Sequence, residues 1–262
     1  MIAVPASGSG RLRQLLDLHL GLIMRDLKSR YRDTWLGLAW TLMNPLLYAG
    51  VLIFLVQNVL AIRMPRFSSY VLVGVLAYTW FRGALAQGTR CLTSARELVR
   101  RPGFRAEVLP AVAVSSNLIN FMLALPIMAI VLALGGTRPE PVLLWLPAVV
   151  AVQYLFTLGL AYLLAALNVV FRDTAQIVEL ALGVGFFLTP IFYKRRGLSP
   201  ELDWIYTINP MVPLLDSYRG PLIEGRAPEA AALLVLAALG AAMSAAGYRL
   251  FRAAAARYVD EL

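Results

Sequence analysis

Six long apolar stretches, at 35–62, 68–90, 108–134, 142–169, 174–193 and 228–252, make up most of the chain. Each reaches or exceeds the roughly 20 residues with which a helix crosses a hydrocarbon core of about 30 Å. Leu, Ala and Val follow one another without strand-like alternation, so the pattern predicts helices and not a β-barrel. The expected fold class is an all-α membrane protein with six transmembrane helices. An even number of crossings leaves both termini on one side. Fifteen Lys and Arg fall in the loops and ends on the side of the amino terminus, and eight on the other. The positive-inside rule then predicts that both termini are cytoplasmic.

Two regions break the pattern. In "LIMRDLKSRYRDTWLGLAWTL", charges recur from Arg25 to Asp33 and then stop where the first apolar stretch begins. Over 11–32, Leu12, Leu16, Leu20, Ile23, Leu27 and Tyr31 fall on one helical face, and Gln14, Asp17, Gly21, Arg25, Lys28 and Arg32 on the opposite one. This predicts an amphipathic helix lying in the membrane surface, with a turn near Asp33 to Gly37 into the first span. The chain thus divides into an interfacial segment, 1–33, and a transmembrane domain, 34–262. The second region, 197–225, is punctuated by Pro200, Pro210, Pro213, Gly220, Pro221 and Gly225, too broken for a span. It is nonetheless rich in Trp204, Ile205, Tyr206, Met211, Val212, Leu214 and Leu215. Short re-entrant helices satisfy both facts, since irregular backbone at membrane depth must be covered by protein.

Composition sharpens this picture. The 262 residues are 60% hydrophobic and 15% charged, against about 25% charged in soluble domains. A net charge of +9 in so apolar a chain points to anionic lipid and cytoplasmic loops, not nucleic acid. One cysteine, Cys91, excludes an internal disulfide, and the single His19 builds no metal cluster. No cleavable signal peptide is expected from the first 35 residues. The two lysines, Lys28 and Lys194, stand in no phosphate-binding loop, so this chain is expected to hydrolyse no ATP and to hold no cofactor. Acidic residues keep to the surface helix, the loops and the span ends, with Glu179 the deepest. Ion-driven carriers place ionisable groups near mid-membrane, so another polypeptide is expected to supply the energy.

Inside the spans the polar groups are uncharged. Thr41, Asn44, Tyr48 and Asn58 share one face of the first span, and Phe186, Thr189 and Tyr193 one face of the fifth. Such residues often glue helices together. Two stripes mixing amides, hydroxyls and rings also suit a passage for a hydrated glycan. Arg82, in "YTWFRGALAQG", either faces protein, water or a carboxylate, or snorkels about two turns to the basic loop. In the loop 91–107, Ser94 is expected to cap a short helix that Pro102 and Gly103 end. In a transporter without its own motor, an ATPase would dock there.

"RDLKSRYRDTWLGLAWTLMNPL" (25–46), "ELVRRPGFRAEVLP" (97–110), "NVVFRDTAQIVELALGVGFFLTPIFY" (168–193) and "INPMVPLLDSYRGPLIEG" (208–225) together resemble ATP-binding-cassette permeases that export bacterial polysaccharides: O-antigen, capsule and teichoic acid. The resemblance implies a homodimer in the bacterial inner membrane, with two copies of a separate ATPase that binds ATP and Mg. The implied cargo is a polyprenyl-diphosphate-linked glycan. Arg25, Lys28, Arg32, Glu97, Arg100, Arg101 and Phe104 would then face the ATPase, and Trp204, Tyr206, Asn209, Pro210 and Arg219 would belong to an outer gate. Where the family usually has an aromatic-Pro pair, this loop has Phe104-Arg105, and Arg82 stands where a small or polar residue is expected. The alternatives are a drug or lipid exporter of the same fold and a membrane scaffold that transports nothing.

Overall fold

A computed structural model describes residues 8–31, 39–61, 64–194 and 203–260, and no strand occurs among them. The elements are α1 (Gly8–Tyr31), α2 (Ala39–Phe54), α3 (Phe67–Thr89), α4 (Cys91–Ser94), α5 (Arg96–Val99), α6 (Val108–Leu134), α7 (Leu146–Val170), α8 (Thr174–Leu188), α9 (Asp203–Ile208), α10 (Met211–Arg219) and α11 (Ala230–Asp260). A π turn, Leu55–Val59, extends α2, a 3-10 turn, Pro141–Trp145, leads into α7, and a second π turn, Gly220–Glu224, follows α10.

Five of these helical stretches are long and apolar enough to cross a membrane: Leu42–Val59, Phe67–Thr89, Val108–Leu134, Pro141–Val170 and Ala230–Ala255. The stretch expected at 174–193 is shorter. Its helix stops at Leu188 because Thr189, ahead of Pro190, is extended (φ −95°, ψ 133°). Its 15 residues reach about 22 Å, less than the ~30 Å core. The last helix instead outruns its expected end at 252 and continues to Asp260, carried by a run of helix-favouring Ala and Arg. The predicted turn at 33–37 lies outside the described residues.

Hydrogen bonds fix which helix ends lie together. At one end, the Tyr70 hydroxyl donates to the carbonyls of Tyr193 (3.1 Å) and Pro190 (3.3 Å), and Arg66 donates to Ile223 (2.7 Å). At the other, Arg90 pairs with Glu179 at 2.7 Å, the Tyr162 hydroxyl donates to the Glu107 carbonyl (2.8 Å), and the backbone N–H of Ala175 donates to Asn168 Oδ1 (3.1 Å). α6 therefore runs antiparallel to α3 and to α7, α8 with its extended tail runs from the Glu179 end to the Tyr70 end, and α11 runs parallel to α7, Gly240 lying against Phe156 and Gly247 against Tyr162.

The centre of the bundle is α3, which is apolar nearly all round and packs on α2, α6, α7, α8 and α10. Of its 23 residues 16 are buried, against 17% of those in Leu42–Val59. Thus α2 leaves most of its surface uncovered within one chain. The closest helix pair is α7 with α11. A Cβ on Gly240 would stand 2.8 Å from the Phe156 backbone, and one on Gly159 2.8 Å from Met243 Cβ, so these glycines let the two backbones touch.

Candidate conduit and coupling surfaces

The two polar stripes meet. The Tyr48 ring from α2 packs edge-on against Phe186 of α8, with centroids 5.2 Å apart. Aromatic contacts continue from Phe186 to Phe192 (6.3 Å), Tyr193 (5.2 Å further) and Tyr206 (6.4 Å), joining the expected liners to the expected gate. Beside Tyr48 and Phe186 lies an open cavity of about 520 Å³, also lined by Arg82, Gln176, Glu179 and Gly183. Asn44, one turn before Tyr48, is exposed.

The remaining expected liners are engaged locally. Thr189 is buried; its hydroxyl donates to the Gly185 carbonyl (2.6 Å) and accepts from Asn209 Nδ2 (2.9 Å). The Tyr193 hydroxyl donates to the Phe187 carbonyl at 2.8 Å and lies 3.3 Å from that of Tyr206. Asn58, at the far end of the first span, donates to the Phe54 carbonyl of its own π turn (3.2 Å). The side chain of Thr41 lies outside the described residues.

At the end holding Thr89, α1 docks on α6. Of its predicted apolar face, Ile23 is buried and Leu27 half-buried, whereas Leu16 and Leu20 are exposed. Sequence reading passed over His19 as unremarkable. Its Nε2 lies 3.1 Å from Ser115 Oγ, which lies 2.9 Å from the Tyr154 hydroxyl, and burial pushes the imidazole pKa below its usual 6.5. Gln87 donates to Asp26 (2.9 Å) and Asn117 donates to Gln87 (2.8 Å), tying α1 to α3 and α6. These two amides were missed; the legible signal was an amide near the same end of each of two adjacent spans. A cavity of about 620 Å³ opens beside them, lined also by Arg25, Arg90, Glu97 and Glu179.

Of the residues assigned to an ATPase, Arg25, Lys28, Glu97, Arg100 and Arg101 are exposed. Phe104 is half-buried against a cluster containing Leu92, Val99 and Phe251, and Arg32 lies outside the described residues. Ser94 does not cap α5. It closes α4, its N–H donating to the Arg90 carbonyl, and the α5 N-cap is Ala95 with no side-chain bond. The short helix is split at Ala95 because Cys91 and Leu92 are drawn into the core and end the preceding turn there.

At the opposite end, α10 is sunk between α3, α7 and α11, with Leu214 and Leu215 fully covered. Pro210 opens α10, Tyr206 is buried, and Trp204 is exposed. Arg219 is 1% exposed. It donates to the carbonyls of Pro190 (2.8 Å), Ile191 (2.9 Å) and Tyr70 (3.3 Å), and its guanidinium carbon lies 3.4 Å above the centre of the Tyr70 ring. The broken segment is thereby fastened to the point where α8 stops. Residues 197–202 of the expected gate lie outside the described residues.

Comparison with known proteins agrees with this architecture. The chain is 35% identical, over 253 residues, to the "O-antigen export system permease protein RfbA" of Myxococcus xanthus, covering 96% of this chain and 97% of that protein. Two Klebsiella pneumoniae proteins of the same description are 27% identical over 215 residues, covering 82% of this chain and 83% of each. The family described as ABC-2 type transporter matches residues 20–223, from α1 to the π turn after α10. With five apolar helices long enough to span a bilayer, the chain belongs to the ABC-2 type transporter family of multi-pass membrane permeases.

Proposed function

We propose that this chain is the permease subunit of an O-antigen-type exporter in the bacterial inner membrane, passing a polyprenyl-diphosphate-linked polysaccharide outward. The observation that carries the reading is the face on which Tyr48 of α2 meets Phe186 of α8. Rings beside hydroxyl and amide groups suit a wet sugar polymer, and α2 is too little buried in one chain to stand alone there. A second copy of the chain covers α2 and completes the passage, making the exporter a homodimer. The similarity to O-antigen export permeases supports the cargo class.

Two copies of a separate ATPase, binding ATP and Mg, supply the energy. They dock on the exposed charges of α1, of α5 and of the turn that follows it, including Arg25, Lys28, Glu97, Arg100 and Arg101. In this reading α1 lies in the cytoplasmic membrane surface and both termini are cytoplasmic. The α8 segment with its extended tail makes the sixth crossing, and α9 and α10 close the outer end. The experiment is to inactivate the gene and analyse cell lipids. A lipid-linked sugar polymer should accumulate inside the cell, and a normal surface polymer with no such accumulation would refute the reading.

A further inference from the structure

Arg82 is a charge inside a span with no ion pair among the described residues. It stands seven residues before the end of α3, about 10 Å inward along the helix, and its side chain is exposed. The carboxylate in the same cavity, Glu179, is already paired with Arg90 at 2.7 Å. Among the described residues no carboxylate forms a salt bridge with Arg82. A guanidinium at that depth needs water or an anion. The side of α3 it occupies is not a plain lipid face, because Glu179, Gln176 and Tyr48 share its cavity.

The cavity has two halves of different chemistry. Tyr48, Phe186 and Phe187 make one half apolar and aromatic; Arg82, Gln176 and Glu179 make the other polar. Glu179 and Arg90 also line the cavity beside α1, so a polar track runs from the α1 end inward to Arg82. A guanidinium offers paired N–H donors matched to phosphate or carboxylate oxygens, and Gln176 adds a neutral donor.

We infer that Arg82, assisted by Gln176, is an oxyanion-binding residue in the wall of the conduit, holding an anionic group of the cargo beside the Tyr48 and Phe186 rings. This rests on the proposed export function. The oxyanion is the diphosphate joining lipid to sugar, or a carboxylate on an acidic sugar; the shared chemistry is a planar donor fork meeting a multi-oxygen anion.

The test uses the permease with its ATPase in nanodiscs, as wild type, Arg82→Gln and Arg82→Lys. Three probes are titrated: polyprenyl diphosphate, a free neutral oligosaccharide of the exported polymer, and a free uronate-containing oligosaccharide. Loss of a charge-assisted contact predicts at least a tenfold weaker affinity of Arg82→Gln for an anionic probe. Arg82→Lys should recover part of it, and neutral-probe affinity should hold, which also reports an intact fold. Weakening confined to polyprenyl diphosphate assigns the site to the lipid carrier, and weakening confined to the uronate probe assigns it to the glycan. Equal affinity of Arg82→Gln and wild type for both anionic probes overturns the inference, as does loss of neutral and anionic binding together. A wild-type complex that binds none of the three probes overturns the export reading itself.

Discussion

Replacing Arg219 with Met keeps most of its volume and removes every donor. In the folded chain its guanidinium serves the carbonyls of Pro190, which also accepts from Tyr70, and of Ile191, both beyond the end of α8 and without a helical partner. Leaving a buried acceptor unsatisfied costs about 1–3 kcal/mol, and a desolvated cation–π contact adds ~2 kcal/mol. Against this, the variant no longer desolvates a charge; with the carbonyls left in place, that relief offsets only part of the loss. A net of about 3 kcal/mol is expected, roughly a hundredfold in the local opening equilibrium. Hydrogen exchange in the purified protein should therefore accelerate about a hundredfold around 189–194, with peptides from α7 unchanged. Gly74→Ala should act in the same direction with Arg219 itself retained, because the added methyl would lie 2.8 Å from its Nη2 and 3.2 Å from Ile191 Cγ2. Exchange within about threefold of wild type in both variants would refute the idea that Arg219 fastens α10 to the end of α8.

Tyr48→Ala and Phe186→Ala should each lower the export rate in cells while the purified complex keeps its subunit composition; export at the wild-type rate would remove the two rings from the passage. Their edge contact is worth about 0.5–1.5 kcal/mol, so the double variant should fall short of additive in thermal stability. Gly240→Leu should separate α7 from α11 and lower the yield of folded protein, because its Cβ would meet the Phe156 backbone at 2.8 Å. Burial depresses the His19 pKa, so undocked α1 binds the proton more readily; docking of α1 is intact above about pH 6.5 and weakens as pH falls below it. Exchange in α1 should quicken between pH 7.5 and 5.5 after correction for intrinsic rates, and a His19→Gln variant should lose that dependence.

The spans were legible because preference for lipid belongs to each residue singly and adds along a run. The bounds of α6 follow the apolar stretch from 108 to 134 in full. The early end of α8 was legible too, in Pro190, but the apolar Ile191-Phe192-Tyr193 that follows masked it. Pairings across elements were not. Sequence marks Arg219 as an outer-end residue, yet its acceptors become available only where α8 unwinds beneath α3. Gln87 and Asn117 share no periodicity with Asp26, and their contact exists because α1 lies against α3 and α6. Ser94 failed as a cap for a related reason: its turn was claimed by the packing of Cys91 and Leu92. Arg82 was visible as an anomaly, but the pairing of Glu179 with Arg90, which takes up the carboxylate in its cavity, is a property of the folded chain.

The central claim is that this polypeptide is a conduit driven by a separate motor. Proteoliposomes carrying the permease alone, or together with its ATPase, are loaded with a fluorescent polyprenyl-diphosphate-linked oligosaccharide, and its appearance on the far leaflet is followed. The account predicts movement only with the ATPase and hydrolysable ATP both present. Sustained translocation by the permease alone, without nucleotide, would contradict it.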